Sequence, residues 1–239
     1  MARVGIIQSN YIPWKGYFDI IHDVDTFVFY DDVQFTKNDW RNRNKIKTSK
    51  GPQWLSVPCG KDLNRLIFEV QPSDSEWQKK HWLQLKEHYS SAPHFKEYSG
   101  FFEDFYLGKK WTHLSEINQY LITHISRDFL GIKTKFEDSR QYSIQGKRLE
   151  RLIELLKLTH ARLYVSGPSA RDYIEESAFA AADIQLEFKS YAGYPEYPQL
   201  HPPFTHEVSI LDLLFNVGKE APYYIWGWRE GRAVTPPSA

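Results

Sequence analysis

Asp31 and Asp32 close a short apolar run, Thr26 to Tyr30, and a little further on Arg41, Arg43 and Lys45 alternate with Asn42 and Asn44. Adjacent aspartates at a strand end can hold magnesium, act as a general base, or cap the next turn through their side-chain oxygens. Guanidinium forks bind phosphate or carboxylate in two-toothed fashion, whereas a charged run is otherwise a solvated face. If Trp40 to Ile46 is extended, its period of two places Arg41, Arg43 and Lys45 on one face, where they can hold an anion. Acidic and basic clusters in one short segment suit a pocket that handles both a charged donor and an acceptor. His201, in a stretch rich in Pro and Tyr, is either an acid–base group that titrates near neutral pH or a histidine that hydrogen-bonds the loop backbone. Asp31, Asp32 and His201 are therefore the candidate catalytic groups.

The surrounding elements decide whether these residues meet. Arg3 to Gln8 is an apolar run bounded by Ser9-Asn10, which predicts a buried strand. Pro13 fixes φ and lacks a donor, and Gly16 permits close backbone approach, so Tyr11 to Tyr17 predicts a loop. Gly16 to His22 then predicts a helix carrying Phe18, Ile20 and Ile21, and Thr26 to Tyr30 a second strand. If these two strands are parallel neighbours, ligands belong beyond their carboxyl ends. The clusters Gln8-Ser9-Asn10-Tyr11 and Asp31-Asp32-Val33-Gln34 would open on one crevice. Gln8, Tyr11, Gln34, Arg41, Asn42, Arg43 and Asn44 become candidate substrate-binding residues, with Gln8 and Asn44 orienting the substrate.

Helical spacing runs from Ser75 to Tyr89, Phe95 to Leu107 and Leu114 to Leu130, which predicts a covering helical subdomain. Its aromatic stripe is core packing or a sugar platform, and His81 and His88 share a helical face without a third metal ligand at recognisable spacing. Strand–helix alternation resumes with a helix over Arg148 to Leu158 and a strand over Arg162 to Val165. A last strand covers Ile184 to Phe188. Ser209 to Phe215 is helical, leaving Asp212 on the solvent face or paired with a site residue. The aromatic tail from Pro222 docks on the core or on a partner, then turns polar at Thr235-Pro236-Pro237.

A chain of 239 residues, 41% hydrophobic and 16% aromatic, can bury one sizeable core. The expected organisation is a single domain over 1–239, with an α/β core at 1–70 and 140–220, a helical insertion at 72–131 and a tail at 222–239. Thirty basic and 30 acidic residues balance to zero net charge, which argues against nucleic acid as the partner. Cys59 is the sole cysteine, so no intrachain disulfide forms and a reducing, cytoplasmic setting is expected. It is either a buried thiol after the strand-like Trp54 to Pro58 or an acyl-accepting nucleophile. No stretch approaches the roughly 20 apolar residues that span a bilayer.

Longer motifs carry a resemblance. Gln8-Ser9-Asn10-Tyr11-Ile12-Pro13-Trp14-Lys15-Gly16-Tyr17-Phe18, Tyr30-Asp31-Asp32-Val33-Gln34-Phe35 and Arg41-Asn42-Arg43-Asn44 resemble the WbqC-like proteins. The likeness continues through Trp54 to Pro58, Ser166 to Tyr173, Tyr197 to His201 and Ser209 to Asn216. It implies a bacterial protein of surface-polysaccharide (O-antigen) biosynthesis that transfers glycine or a related acyl group onto a sugar. A more distant likeness links Asn10 to Phe18 with the phosphate-binding HxGH turn of nucleotidylyltransferases. Trp14 and Tyr17 stand at the histidine positions, and Lys15 would partly substitute for them. The Ser166 to Tyr173 segment looks like the later phosphate-closing loop of that superfamily, which adds Ser169 and Arg171 to the substrate-binding candidates.

The sequence thus implies an α/β, Rossmann-like parallel sheet with an inserted helical subdomain. The implied function joins an acyl or aminoacyl group to a nucleotide-linked amino sugar, with ATP and magnesium if the donor must be activated and with no metal site assigned. The alternative is a non-catalytic module that binds a nucleotide sugar or stabilises a biosynthetic complex. The partner expected in either case is a small molecule bearing a nucleotide or phosphate.

Overall fold

Among the described residues seven strands form: β1 (Arg3–Ile7), β2 (Thr26–Phe29), β3 (Arg43–Thr48), β4 (Gly51–Ser56), β5 (Lys135–Asp138), β6 (Leu163–Ser166) and β7 (Gln185–Phe188). The structure is a computed structural model that describes residues 2–172 and 174–231. Five strands pair as a wholly parallel sheet in the order β5-β2-β1-β6-β7, with Gly5 opposite Phe27 and Arg3 opposite Leu163. The chain builds outward from β1 through β2 to β5, then crosses to the other side of β1 for β6 and β7. The connections therefore diverge between β1 and β6, which makes the carboxyl edge there the expected ligand crevice of a doubly wound fold.

Side chains alternate across this sheet. Val4, Ile6 and Val28 face a layer with Leu155, Leu156 and Phe179, supplied by α5 (Arg148–Leu158) and α6 (Glu176–Ala181). Phe27 and Phe29 face the larger core with Phe18 of α1 (Lys15–His22) and the helices α2 (Glu76–Tyr89), α3 (Phe95–Glu103), α4 (Leu114–His124) and α7 (Ile210–Val217). Phe215 of α7 joins the layers, its ring lying 5.2 Å from Tyr89 and 5.6 Å from Phe102. The helical segment and one face of the sheet thus bury their apolar side chains in one continuous cluster.

Two elements depart from the sequence reading. β5 lies between the expected core spans 1–70 and 140–220, and it is anchored by Thr134, whose Oγ1 donates to the carbonyls of Ile21 and Val24 at 2.6 and 3.0 Å. The segment Trp40 to Ile46 is strand only from Arg43, because Asp39 organises a turn first. Its Oδ1 accepts from the Trp40 N–H at 2.6 Å, and its carbonyl accepts from the Asn42 N–H at 3.2 Å. β3 and β4 form a separate antiparallel hairpin, with Lys45 opposite Trp54. Along the tail, Ile225 and Trp226 are buried in the main core and Trp226 stacks on His22 at 4.0 Å. The polar Thr235-Pro236-Pro237 stretch lies outside the described residues.

Candidate functional site

Beyond the carboxyl end of β1 the chain enters a constrained loop. Ile12 is fully buried with φ of +36°, a conformation that a β-branched residue rarely adopts. Asn44 holds it there, its Nδ2 donating to the carbonyls of Ile12 at 2.9 Å and Tyr11 at 3.3 Å while its Oδ1 accepts from the Lys45 N–H. Two backbone bonds complete the clamp: the Tyr11 N–H reaches the Trp40 carbonyl, and the Pro13 carbonyl accepts from the Ile210 N–H, both at 2.9 Å. Trp14 follows as the residue before α1. A Cβ added at Gly16 would lie 2.3 Å from the Trp14 ring, so only glycine admits the indole against the helix start.

This loop, the turn at residues 38–40 and the β3–β4 hairpin enclose a cavity of about 630 Å³. Its walls are Asn10, Pro13, Trp14, Asn38, Asp39, Trp40, Arg43, Asn44, Lys45, Trp54 and Glu207. The Arg43 guanidinium lies 4.2 Å from the centre of the Trp54 ring, and it makes no hydrogen bond or ion pair to any described residue; its Nε is buried without a partner. Lys45 lies 5.3 Å from the same ring and pairs with Glu207 at 3.0 Å. Trp40 stands 5.5 Å from Trp54, and both are about two-fifths exposed. Asn10 Oδ1 is a second buried polar atom without a partner. Aromatic faces beside an unpaired guanidinium suit a ligand that combines a ring with an anionic group.

Of the residues singled out from the sequence, Arg43, Asn44 and Lys45 line this cavity. Arg41 does not; its guanidinium pairs with Asp39 at 2.9 Å. Asn42 donates to the Val57 carbonyl at 2.9 Å and is buried. Tyr11 is fully buried, its hydroxyl 2.6 Å from Tyr106 and 2.8 Å from His81 Nδ1. Lys15 is buried too: its Nζ donates to the Pro195 carbonyl at 3.3 Å and lies over the Tyr194 and Tyr197 rings, and burial lowers its pKa to about 8. Gln8 offers its carbonyl to the Tyr17 hydroxyl at 3.0 Å. Gln34 reaches the Leu63 carbonyl at 3.3 Å, Ser169 is exposed, and Arg171 covers the Phe188 ring at 4.9 Å.

The candidate catalytic groups are likewise engaged. Asp31 is fully buried; one oxygen accepts from the Ser9 N–H at 2.8 Å and the other from Gln119 at 2.9 Å. Burial pushes its carboxyl pKa up, while those hydrogen bonds pull it down. Asp32 accepts from Ser139 Oγ at 2.5 Å and is ion-paired with Arg151. The two aspartates turn to separate partners and do not form the oxygen cluster that magnesium requires. Among the described residues no group of three or more His, Cys, Asp or Glu is arranged for a metal ion. His201 Nε2 meets the His88 carbonyl at 3.2 Å. Asp212 is neither solvent-facing nor a partner of the cavity: fully buried, it accepts from Tyr89, Tyr197 and Gln199 at 2.9, 2.8 and 2.7 Å. Cys59 is buried, and desolvation raises its thiol pKa to about 12.

The cavity's tryptophans, Asn10, Asp39 and Glu207 were absent from the candidates. The alternation of β4 sets Trp54 opposite Lys45, so the hairpin pattern carried a signal for that residue. Glu207 lies far along the chain and carried none.

These features define a doubly wound α/β protein with an aromatic cavity, its Arg43 guanidinium unpaired, beside the carboxyl edge of its first strand. The chain belongs to the WbqC-like protein family, whose family profile matches residues 8–224. It is 46% identical over 228 residues to an uncharacterized protein of Mycobacterium tuberculosis, a match covering 94% of this chain and 98% of that one. No solved structure matches the chain. Among the described residues no helix is long and apolar enough to cross a membrane.

Proposed function

We propose that the protein joins an acyl or aminoacyl group, of the glycine type, to an amino sugar carried on a nucleotide, in the assembly of bacterial surface polysaccharide. The observation that carries this reading is Arg43: a guanidinium stacked on Trp54 in the cavity wall, with no protein acceptor. A phosphate oxygen satisfies such a fork, and Trp40 and Trp54 offer faces for a sugar or base. In the transfer, the sugar amine attacks the donor's acyl carbon, a C–N bond forms and the donor's leaving group departs. Glu207 would take the amine's proton: it stands exposed at the cavity wall with Lys45 as its partner, whereas Asp31, Asp32 and His201 are held by partners outside the cavity lining.

The same commitment favours a second reading, in which the cavity binds a nucleotide sugar without turning it over. Thermal-shift measurements with UDP-linked amino sugars on the wild type and Arg43→Ala test the binding they share. A ligand-dependent rise in Tm that Arg43→Ala loses supports both, and no shift with any such ligand removes both. Amide formation from an activated acyl donor then separates enzyme from binding module.

A further inference from the structure

We infer that Asn10 is the specificity-determining residue of the cavity, its side-chain amide receiving an N–H or O–H group of the sugar while Arg43 holds the phosphate. This rests on the reading of the cavity as a nucleotide-sugar site. Asn10 lines the cavity, and its Oδ1 is buried with no hydrogen-bond partner. A buried acceptor left unmade is a standing penalty that folding normally removes. The side-chain oxygens of Asn42 and Asn118 are also unpartnered, but neither residue lines the cavity, and the amide nitrogens of both are bonded to the protein. At Asn10 no side-chain hydrogen bond to the described residues fixes the amide. Rotation about its soft terminal torsion therefore turns the oxygen to an occupant without breaking a bond.

The backbone that carries Asn10 is held as if for this purpose. Ile12 keeps its positive φ because Asn44 Nδ2 binds the Ile12 and Tyr11 carbonyls, and strain that the surroundings enforce gathers at ligand clamps. Asn44 is a positioning residue that fixes Asn10 on one side of the cavity relative to Arg43, its near neighbour in β3, on the other. Occupants are then ranked by whether a donor group stands at the right distance from the phosphate.

Isothermal titration of the full chain with UDP and with UDP-glucosamine tests this. The wild type is expected to bind UDP-glucosamine at least about tenfold more tightly than UDP, the worth of a hydrogen bond to a buried group. Asn10→Ala is expected to erase that preference and leave UDP binding unchanged, while Asn10→Asp, which keeps an acceptor oxygen, retains it. Asn44→Ala is expected to erode the preference without abolishing UDP binding. If the preference survives Asn10→Ala, or Asn10→Asp loses it as fully as Asn10→Ala, the inference is overturned and the cavity reading stands. If neither ligand binds the wild type, the cavity reading fails and takes the inference with it.

Discussion

At the scale of single residues, the cavity is set apart by what its side chains lack. Arg3, Arg140, Arg151, Arg162 and Arg229 all find carboxylates in the fold, whereas Arg43 finds a tryptophan face. A phosphate-bearing ligand would supply the missing acceptor, so Arg43→Ala should weaken UDP-sugar binding by about 1.5–3 kcal/mol, the range for hydrogen bonds to a charged group. Arg43→Lys should recover only part of it, since an ammonium cannot make the two-toothed contact; equal affinities for Lys and Arg variants by titration calorimetry would contradict the fork. Gly16 acts one step back. An added methyl would meet the Trp14 ring at 2.3 Å, so the indole must move out of the cavity wall. Gly16→Ala should destabilise the protein by about 1–3 kcal/mol, the usual range for overpacking. It should also change the tryptophan emission; an unaltered melt and spectrum would show that the ring yields freely.

At the scale of elements, the strands β1, β2, β6 and β7 and the helices other than α6 were legible because their apolar periods are strong. β5 was not, since Lys135-Phe136-Glu137-Asp138 is mostly charged and becomes a strand by pairing beside β2 at the sheet edge. The hairpin was half legible: its alternation was visible, but the turn that delays its start depends on Asp39. The site divided in the same way. Arg43 and Asn44 sit in a strand whose faces follow from its period, while Asp31 and Asp32 read as chemistry and act in the fold as acceptors for Ser9, Gln119, Ser139 and Arg151. Asp212 shows how such a carboxylate ties elements together. It joins α7 to α2 and to the 197–199 loop, and Tyr89 in turn accepts the Lys47 N–H of β3 at 2.7 Å. Asp212→Ala leaves the buried Tyr89 and Tyr197 hydroxyls without their acceptor, while Gln199 keeps the Thr205 carbonyl, and should lower stability by about 3–5 kcal/mol in urea titration. Asp212→Asn keeps one acceptor oxygen and should lose less; equal losses would mean that volume rather than hydrogen bonding sets the penalty.

For the whole molecule, the junction between the β1 loop and the helical layer passes through a buried polar chain, Tyr106–Tyr11–His81, packed against Trp77. His81 is buried there, and desolvation lowers its pKa from 6.5 to about 4. Between those values the unfolded chain binds a proton that the folded one excludes, so stability falls as pH drops from 6.5 to 4, by up to about 3 kcal/mol. Asp31 and Asp212 act in the opposite sense, because burial raises their pKa and favours the protonated form in the fold. The contribution of His81 is therefore isolated only as a difference. His81→Phe keeps a ring among Tyr11, Trp77 and Tyr106, leaves Tyr11 bonded to Tyr106, and removes the titrating group. Urea unfolding of both proteins at pH 7 and pH 4.5 should show the wild type losing more stability on acidification than the variant. Equal losses would mean that His81 takes up its proton as readily in the fold as outside it, and that the chain from Tyr106 to His81 opens to water without unfolding the whole.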